Sequence, residues 1–125
     1  MDQRGFFRAV AERTGLSREE SADVTRAVVE GLGNQLSDGE ANRLAGDLPG
    51  LAVRVRQRRR TEAHPIRLIE FIRAVSTRTG VSEDEARAGA AAVLTVMREA
   101  LGDDGFRHLT GQLPAEYAEL VQATG

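Results

Sequence analysis

The chain has 125 residues, 41% of them hydrophobic and 29% charged, the proportions of a soluble globular protein of single-domain length. Seventeen basic residues against nineteen acidic ones leave a formal net charge of -2, which argues against a nucleic-acid binder that uses its whole surface. The absence of cysteine excludes disulfides and thiolate chemistry, and no apolar run reaches the length of a membrane span. Every basic residue is arginine.

The first predicted helix covers about 5–14, where Phe7, Val10, Ala11 and Thr14 share one face at the i, i+3, i+4, i+7 spacing. Gly15 follows where a left-handed C-terminal residue is wanted. Ser17-Arg-Glu-Glu20 then spells a capping box: the serine oxygen takes one free N–H and the glutamate reaches back to another. Acids in this first turn also suit the positive end of the helix dipole, so a structural role is expected of Glu19 and Glu20 rather than an acid–base one. This second helix runs to about Leu36, with Val24, Val28, Leu32 and Leu36 as its apolar stripe. Gly31 and Gly33 weaken it by about 1 kcal/mol each relative to alanine and point to close packing or a bend. A third helix starts at Ser37-Asp-Gly-Glu40 and turns Ala41, Leu44, Ala45 and Leu48 inward. It ends at Leu48-Pro49, because proline disfavours helical geometry in the residue before it.

The stretch RVRQRRR follows, carrying Arg54, Arg56, Arg58, Arg59 and Arg60. It reads as a solvated linker or helix face, as a contact for an acidic protein surface, or as a nucleic-acid contact. Arginine forks onto phosphate oxygens, and five close together neutralise several phosphates. No aromatic residue interleaves them, so base stacking is not supplied locally and any such binding would be weak and blind to sequence.

From Phe71 onward the chain repeats itself. Residues 6–49 lie on 71–114 at an offset of 65 without a gap, with 17 identities in 44 positions. The second copy spells a helix over about 67–79 with Ile72, Val75 and Ser76 inward, then Gly80 and a second capping box, Ser82-Glu-Asp-Glu85. A long helix follows with Ala90, Val93, Leu94, Met97 and Leu101 as its stripe, and a third begins near Asp103 with Phe106, Leu109 and Leu113 inward. Pro114 then opens a short fourth helix that buries Tyr117, Leu120 and Val121. A unit of about 50 residues buries too little surface to stand alone, so the two copies are expected to share a core. The expectation is an all-α protein of two homologous three- to four-helix repeats, packed as one helical bundle with internal pseudo-symmetry. The whole of 1–125 forms one domain: repeat one at about 4–53, an Arg-rich linker at about 54–65, and repeat two at about 66–123.

The pattern of a helix ending in TG, an S-x-x-E start, a long Ala/Val/Leu helix, an acidic turn and a terminal LP resembles the bacterial domain of unknown function 2267 over nearly the whole chain. That resemblance implies a small all-helical protein and supplies no catalytic residue. The chain departs from the pattern at Gly50 and the arginine run, where a short helix would be expected. The stretch RAVAERTGLSREESADVTRAVVEGL is also similar to the N-terminal helical hairpin of histone-like HU proteins, which forms their dimer body. The DNA-gripping β-ribbon of those proteins has no counterpart in the sequence that follows, so the likeness favours helix-mediated association.

Chemistry-bearing motifs are sparse. His64 precedes Pro65 in the linker, and His108 aligns with Arg43, a surface position. No zinc-ligand spacing, nucleophile elbow, P-loop or dinucleotide fingerprint occurs, so no metal or cofactor is expected. The sequence points to a non-enzymatic protein–protein interaction or scaffolding module, cytoplasmic and without a membrane partner, that meets another protein or a second copy of itself. The alternative is weak, sequence-independent nucleic-acid binding through Arg54–Arg60.

Overall fold

The computed structural model describes residues 3–47 and 66–124. Among them are six helices and no strand: α1 (Gln3–Thr14), α2 (Arg18–Gly33), α3 (Asp38–Asp47), α4 (Leu68–Thr79), α5 (Glu83–Thr110) and α6 (Ala115–Thr124). The protein is all-α, as the periodicity predicts. The arginine run and the helix in doubt after the first Leu-Pro lie outside the described residues.

The boundaries fall where local chemistry puts them. Gly15 and Gly80 take left-handed φ values of 76° and 83°, and their N–H groups donate to Ala11 O and Ser76 O at 2.9 and 2.8 Å. Both capping boxes close. Ser17 Oγ accepts from Glu20 N–H at 3.1 Å while Glu20 Oε1 accepts from Ser17 N–H at 3.1 Å. The matching distances at Ser82 and Glu85 are 3.0 and 2.9 Å. The box at Ser37 is only half made: Ser37 Oγ accepts from Glu40 N–H, but Ser37 N–H donates to Gln112 Oε1 instead. Helix α5 breaks at Gly102 (φ 80°, ψ 168°), so the third helix expected near Asp103 exists, joined end to end with the second.

All six helices feed one apolar cluster. The front half of α5 is its axis, a run of small and β-branched residues in which Gly89, Ala90, Ala91, Ala92, Val93, Leu94, Val96 and Met97 are all buried. Helices α1, α2 and α4 pack on α5, and α2 also touches α1 and α4. Helix α6 closes one end against α5 with Tyr117, Leu120 and Val121 buried. Two details differ from the sequence reading. The buried face of α1 centres on Phe6 and Val10, with Phe7, Ala11 and Thr14 half-buried, because Phe6 is the side chain aimed at the core. Helix α2 ends at Gly33 rather than Leu36. The chain tightens there, with Gln35 N–H donating to Leu32 O and Leu36 N–H to Gly33 O, and this still buries Leu36.

Helix α2 also buries a polar side chain. The Ser21 hydroxyl is fully enclosed and finds no hydrogen-bond partner among the described residues. An orphaned buried hydroxyl costs about 1–3 kcal/mol, and the residue 65 positions on, Ala86, is an equally buried alanine. Ser21→Ala is therefore expected to leave stability unchanged or raise it by about 1 kcal/mol. A fall in the urea midpoint of this variant would contradict the geometry.

Candidate functional site

The polar interior is concentrated where the α2–α3 turn, the start of α4 and the start of α6 meet. Gln35 is 1% exposed and Tyr117 fully buried. Gln35 Nε2 donates to Tyr117 Oη at 2.9 Å, Tyr117 Oη donates to Ile66 O at 2.9 Å, and Ile66 N–H donates to Gln35 Oε1 at 3.0 Å. The three residues close a ring of hydrogen bonds, and the Tyr117 ring packs edge-on to Phe71 at 5.4 Å. Burial pushes the Tyr117 phenol up to about 12, with the Gln35 hydrogen bond acting in the other direction.

Glu116 anchors the start of α4. Its Oε2 accepts from Leu68 N–H at 3.0 Å, and both carboxylate oxygens lie 3.3 Å from the Arg67 guanidinium. The Leu68 N–H, then Arg67, hold the Glu116 carboxyl below its usual range, while Glu116 raises Arg67. The same carboxylate supplies the cap that Arg67, the N-cap residue of α4, cannot make with its own side chain. These perturbed groups are all engaged in holding the fold together.

Open grooves lie on the surface of the described residues, and the first borders this junction through Gln35, Ile66 and Phe71. This first groove, of about 400 Å³, runs between α2 and α4 over Ala27, Gly31, Asn34, Phe71, Ala74 and Val75. At Gly31 a Cβ would sit 2.6 Å from Phe71 Cε1, so glycine is what permits the helices to approach this closely. An Arg78–Glu30 pair at 3.0 Å crosses its rim.

A second groove, of about 690 Å³, lies between α1 and the first half of α2, and its lining includes Arg4, Arg8, Arg18 and Arg26 against one acid, Glu19. The Arg26 guanidinium stacks over the half-buried Phe7 ring at 4.9 Å and stands 4.0 Å from Asp23. Arg4, Arg8 and Arg18 make no ion pair among the described residues. The candidates singled out from sequence, Arg54, Arg56, Arg58, Arg59 and Arg60, lie outside the described residues, as does His64. His108 is exposed on α5. Among the described residues, no three His, Cys, Asp or Glu side chains cluster to hold a metal ion, and no helix is long and apolar enough to cross a membrane. Sequence reading missed the second groove because its arginines are scattered over 23 residues on two helices rather than in a run. The signal was there in the offset of 65, at which Arg18 stands against Glu83.

These features define an all-helical protein whose buried polar groups tie its elements together and whose described surface includes an arginine-lined groove. The chain belongs to the DUF2267 family of uncharacterized conserved proteins, whose family model matches residues 3–120. No curated protein matches the chain at a significant level.

Proposed function

We propose that the chain is a non-enzymatic interaction module, and that its partner is densely negative and docks in the groove between α1 and α2. The observation that carries this reading is the groove's lining of four guanidiniums against one carboxylate in a chain of net charge -2. Charge segregated in this way raises the local concentration of an anion that the molecule as a whole would not attract. A binding role, rather than a catalytic one, is supported by the junction of Gln35, Tyr117 and Glu116, where the perturbed groups are tied to backbone and neighbouring side chains. Self-association through an apolar face has less support: Ile69, at 37% exposure, is the large exposed hydrophobic residue among those described. A second anion contact through Arg54–Arg60, and a cytoplasmic setting, belong to the same proposal.

We also infer that the bundle is two copies of one unit about an internal pseudo-two-fold axis. Gly89 of α5 abuts Val24 of α2, its counterpart 65 residues earlier, and α1 packs on α2 and α5 just as α4 does.

Chromatography on immobilised heparin at pH 7.5 and low salt tests the groove. The full chain is expected to be retained despite its net charge, and the variant Arg4→Ser, Arg8→Ser, Arg18→Ser, Arg26→Ser to flow through. A variant with Arg54, Arg56, Arg58, Arg59 and Arg60 replaced by serine separates the two arginine groups and should still be retained. Flow-through of the wild-type chain, or retention that depends only on the latter five, would overturn the reading.

A further inference from the structure

We propose that the groove between α1 and α2 takes the phosphodiester backbone of a nucleic acid, with Arg8 and Arg18 grasping one phosphate between them. The inference rests on the anion-recognition reading and adds the chemical class of the anion.

It starts from a charge reversal inside the molecule. In the second half of the chain, Arg73 on α4 faces Glu83 at the start of α5, with Nε and Oε1 3.8 Å apart. The residues 65 positions earlier are Arg8 on α1 and Arg18 at the start of α2. The same helix pair thus carries an opposed charge in one half and a second positive charge in the other. Packing does not ask for this, since Arg8 and Arg18 are both exposed. The other two groove arginines follow suit: Arg4 stands where the second half has Ile69, and Arg26 where it has Ala91. Four guanidiniums have been gathered on one face, and the glutamate that would neutralise the central pair is absent from its position. Like charges held together on stable helices repel, and an anion between them relieves the cost.

The lining favours phosphate over the carboxylates of an acidic protein. Each guanidinium presents a planar fork that fits two oxygens of one phosphate. A duplex offers a negative charge about every 1.7 Å of axis, which lets several arginines along one groove be satisfied at once. Acidic side chains are spaced more widely and need apolar contacts around them, and beside its arginines this groove offers chiefly Phe7, already covered by Arg26. That stacked guanidinium is also held in place before a ligand arrives, so less side-chain freedom is lost on binding. The contacts proposed run to phosphate oxygens, which position a duplex without reporting its bases, so the contact is independent of sequence.

One substitution tests this with little risk to the fold. Arg18→Glu places an acid opposite Arg8 as Glu83 stands opposite Arg73, in the first helical turn where acids are welcome, and leaves the Ser17–Glu20 cap untouched. A fluorescently labelled DNA duplex is titrated with the full-length chain at several salt concentrations, in the background where Arg54, Arg56, Arg58, Arg59 and Arg60 are serine. Three phosphates, one shared by Arg8 and Arg18 and one each at Arg4 and Arg26, give a slope of log K against log salt of about -2.7. Arg18→Glu replaces one half of the clasp with an acid and occupies the other, Arg8, so the shared phosphate is lost and the slope is expected to shrink to about -1.8, with low-salt affinity falling by tenfold or more. Circular dichroism of the variant should match the parent. Unchanged binding by Arg18→Glu, no duplex binding once the five are serine, or an oligo-glutamate peptide binding as tightly as DNA would each overturn the inference. Heparin retention without DNA binding would end this inference and leave the anion-recognition reading in place, while loss of both would end both.

Discussion

Gly89→Ala is expected to destabilise the wild-type protein and to stabilise the Val24→Ala variant. A Cβ built at Gly89 lies 2.5 Å from Val24 Cγ1, closer than real side-chain carbons approach. Val24 is fully buried and sits mid-helix, where a β-branched side chain is held to one rotamer, so it cannot swing aside. Overpacking of this kind costs about 1–3 kcal/mol. The gain in helix propensity, about 1 kcal/mol, offsets only part of it. Removing Cγ1 and Cγ2 by Val24→Ala alone leaves a cavity at the crossing of α2 and α5 and costs about 2 kcal/mol. In the double variant the new methyl enters the vacated space, so the clash disappears and the propensity gain remains. Urea unfolding followed by far-ultraviolet circular dichroism measures all four corners of the cycle. A coupling of about 2 kcal/mol is expected. Additive effects would mean that α2 and α5 do not cross this closely.

That crossing also marks the limit of what the sequence disclosed. Helix existence and type were legible, because Ser17, Ser82, Gly15 and Gly80 act through their nearest neighbours and any reader of local chemistry finds them. Most of the stripe residues, such as Val28, Leu32, Val93 and Leu94, were legible from periodicity alone. Contacts between distant segments were not. Gly89 is one small residue among alanines in the sequence, and nothing local says that Val24 lies on it. Gln35 falls inside the second predicted helix and off its apolar stripe, and its burial depends on Ile66 and Tyr117, 31 and 82 residues away. Glu116 stands in the first turn of α6, and nothing local discloses that it caps the start of α4.

The charged surface teaches the same lesson from the other side. The run RVRQRRR draws the eye because its arginines are adjacent, but adjacency in sequence is not needed for a common field. Arg4, Arg8, Arg18 and Arg26 meet because α1 and α2 fold back on each other across Gly15 and the Ser17 cap. Elsewhere the described arginines are largely matched: Arg13 to Glu99 at 2.8 Å, Arg67 to Glu116, Arg73 to Glu83, and Arg78 to Glu30. Such exposed pairs contribute only about 0–1 kcal/mol each to stability, so their greater consequence is to cancel the field locally. The α1–α2 groove is where that cancellation fails, and a net charge of -2 conceals it.

Tyr117 should titrate near pH 12 in the folded protein and near 10 in denaturant. It is the chain's single tyrosine, and there is no tryptophan, so tyrosinate absorbance reports on it alone. The native fold holds the neutral phenol because ionising it would place an unsolvated charge in the core. A folded pKa above the unfolded one means that the native state binds the proton more tightly. The resulting stability is therefore complete below about pH 10 and lost as pH rises from about 10 to 12. The loss is on the order of 2–3 kcal/mol across that window. Tyr117→Phe separates this from general alkaline unfolding. It keeps the ring against Phe71 but leaves Gln35 Nε2 and Ile66 O, both served by the hydroxyl, without their partner. Two buried polar groups so orphaned cost about 2–4 kcal/mol at pH 7, while the step in stability between pH 10 and 12 should vanish. If the phenol titrated at 10 in the native protein, or if Tyr117→Phe were as stable as the parent, the ring of hydrogen bonds would not be a closed one. The turn after α2, the start of α4 and the start of α6 would then need some other tie to hold them together.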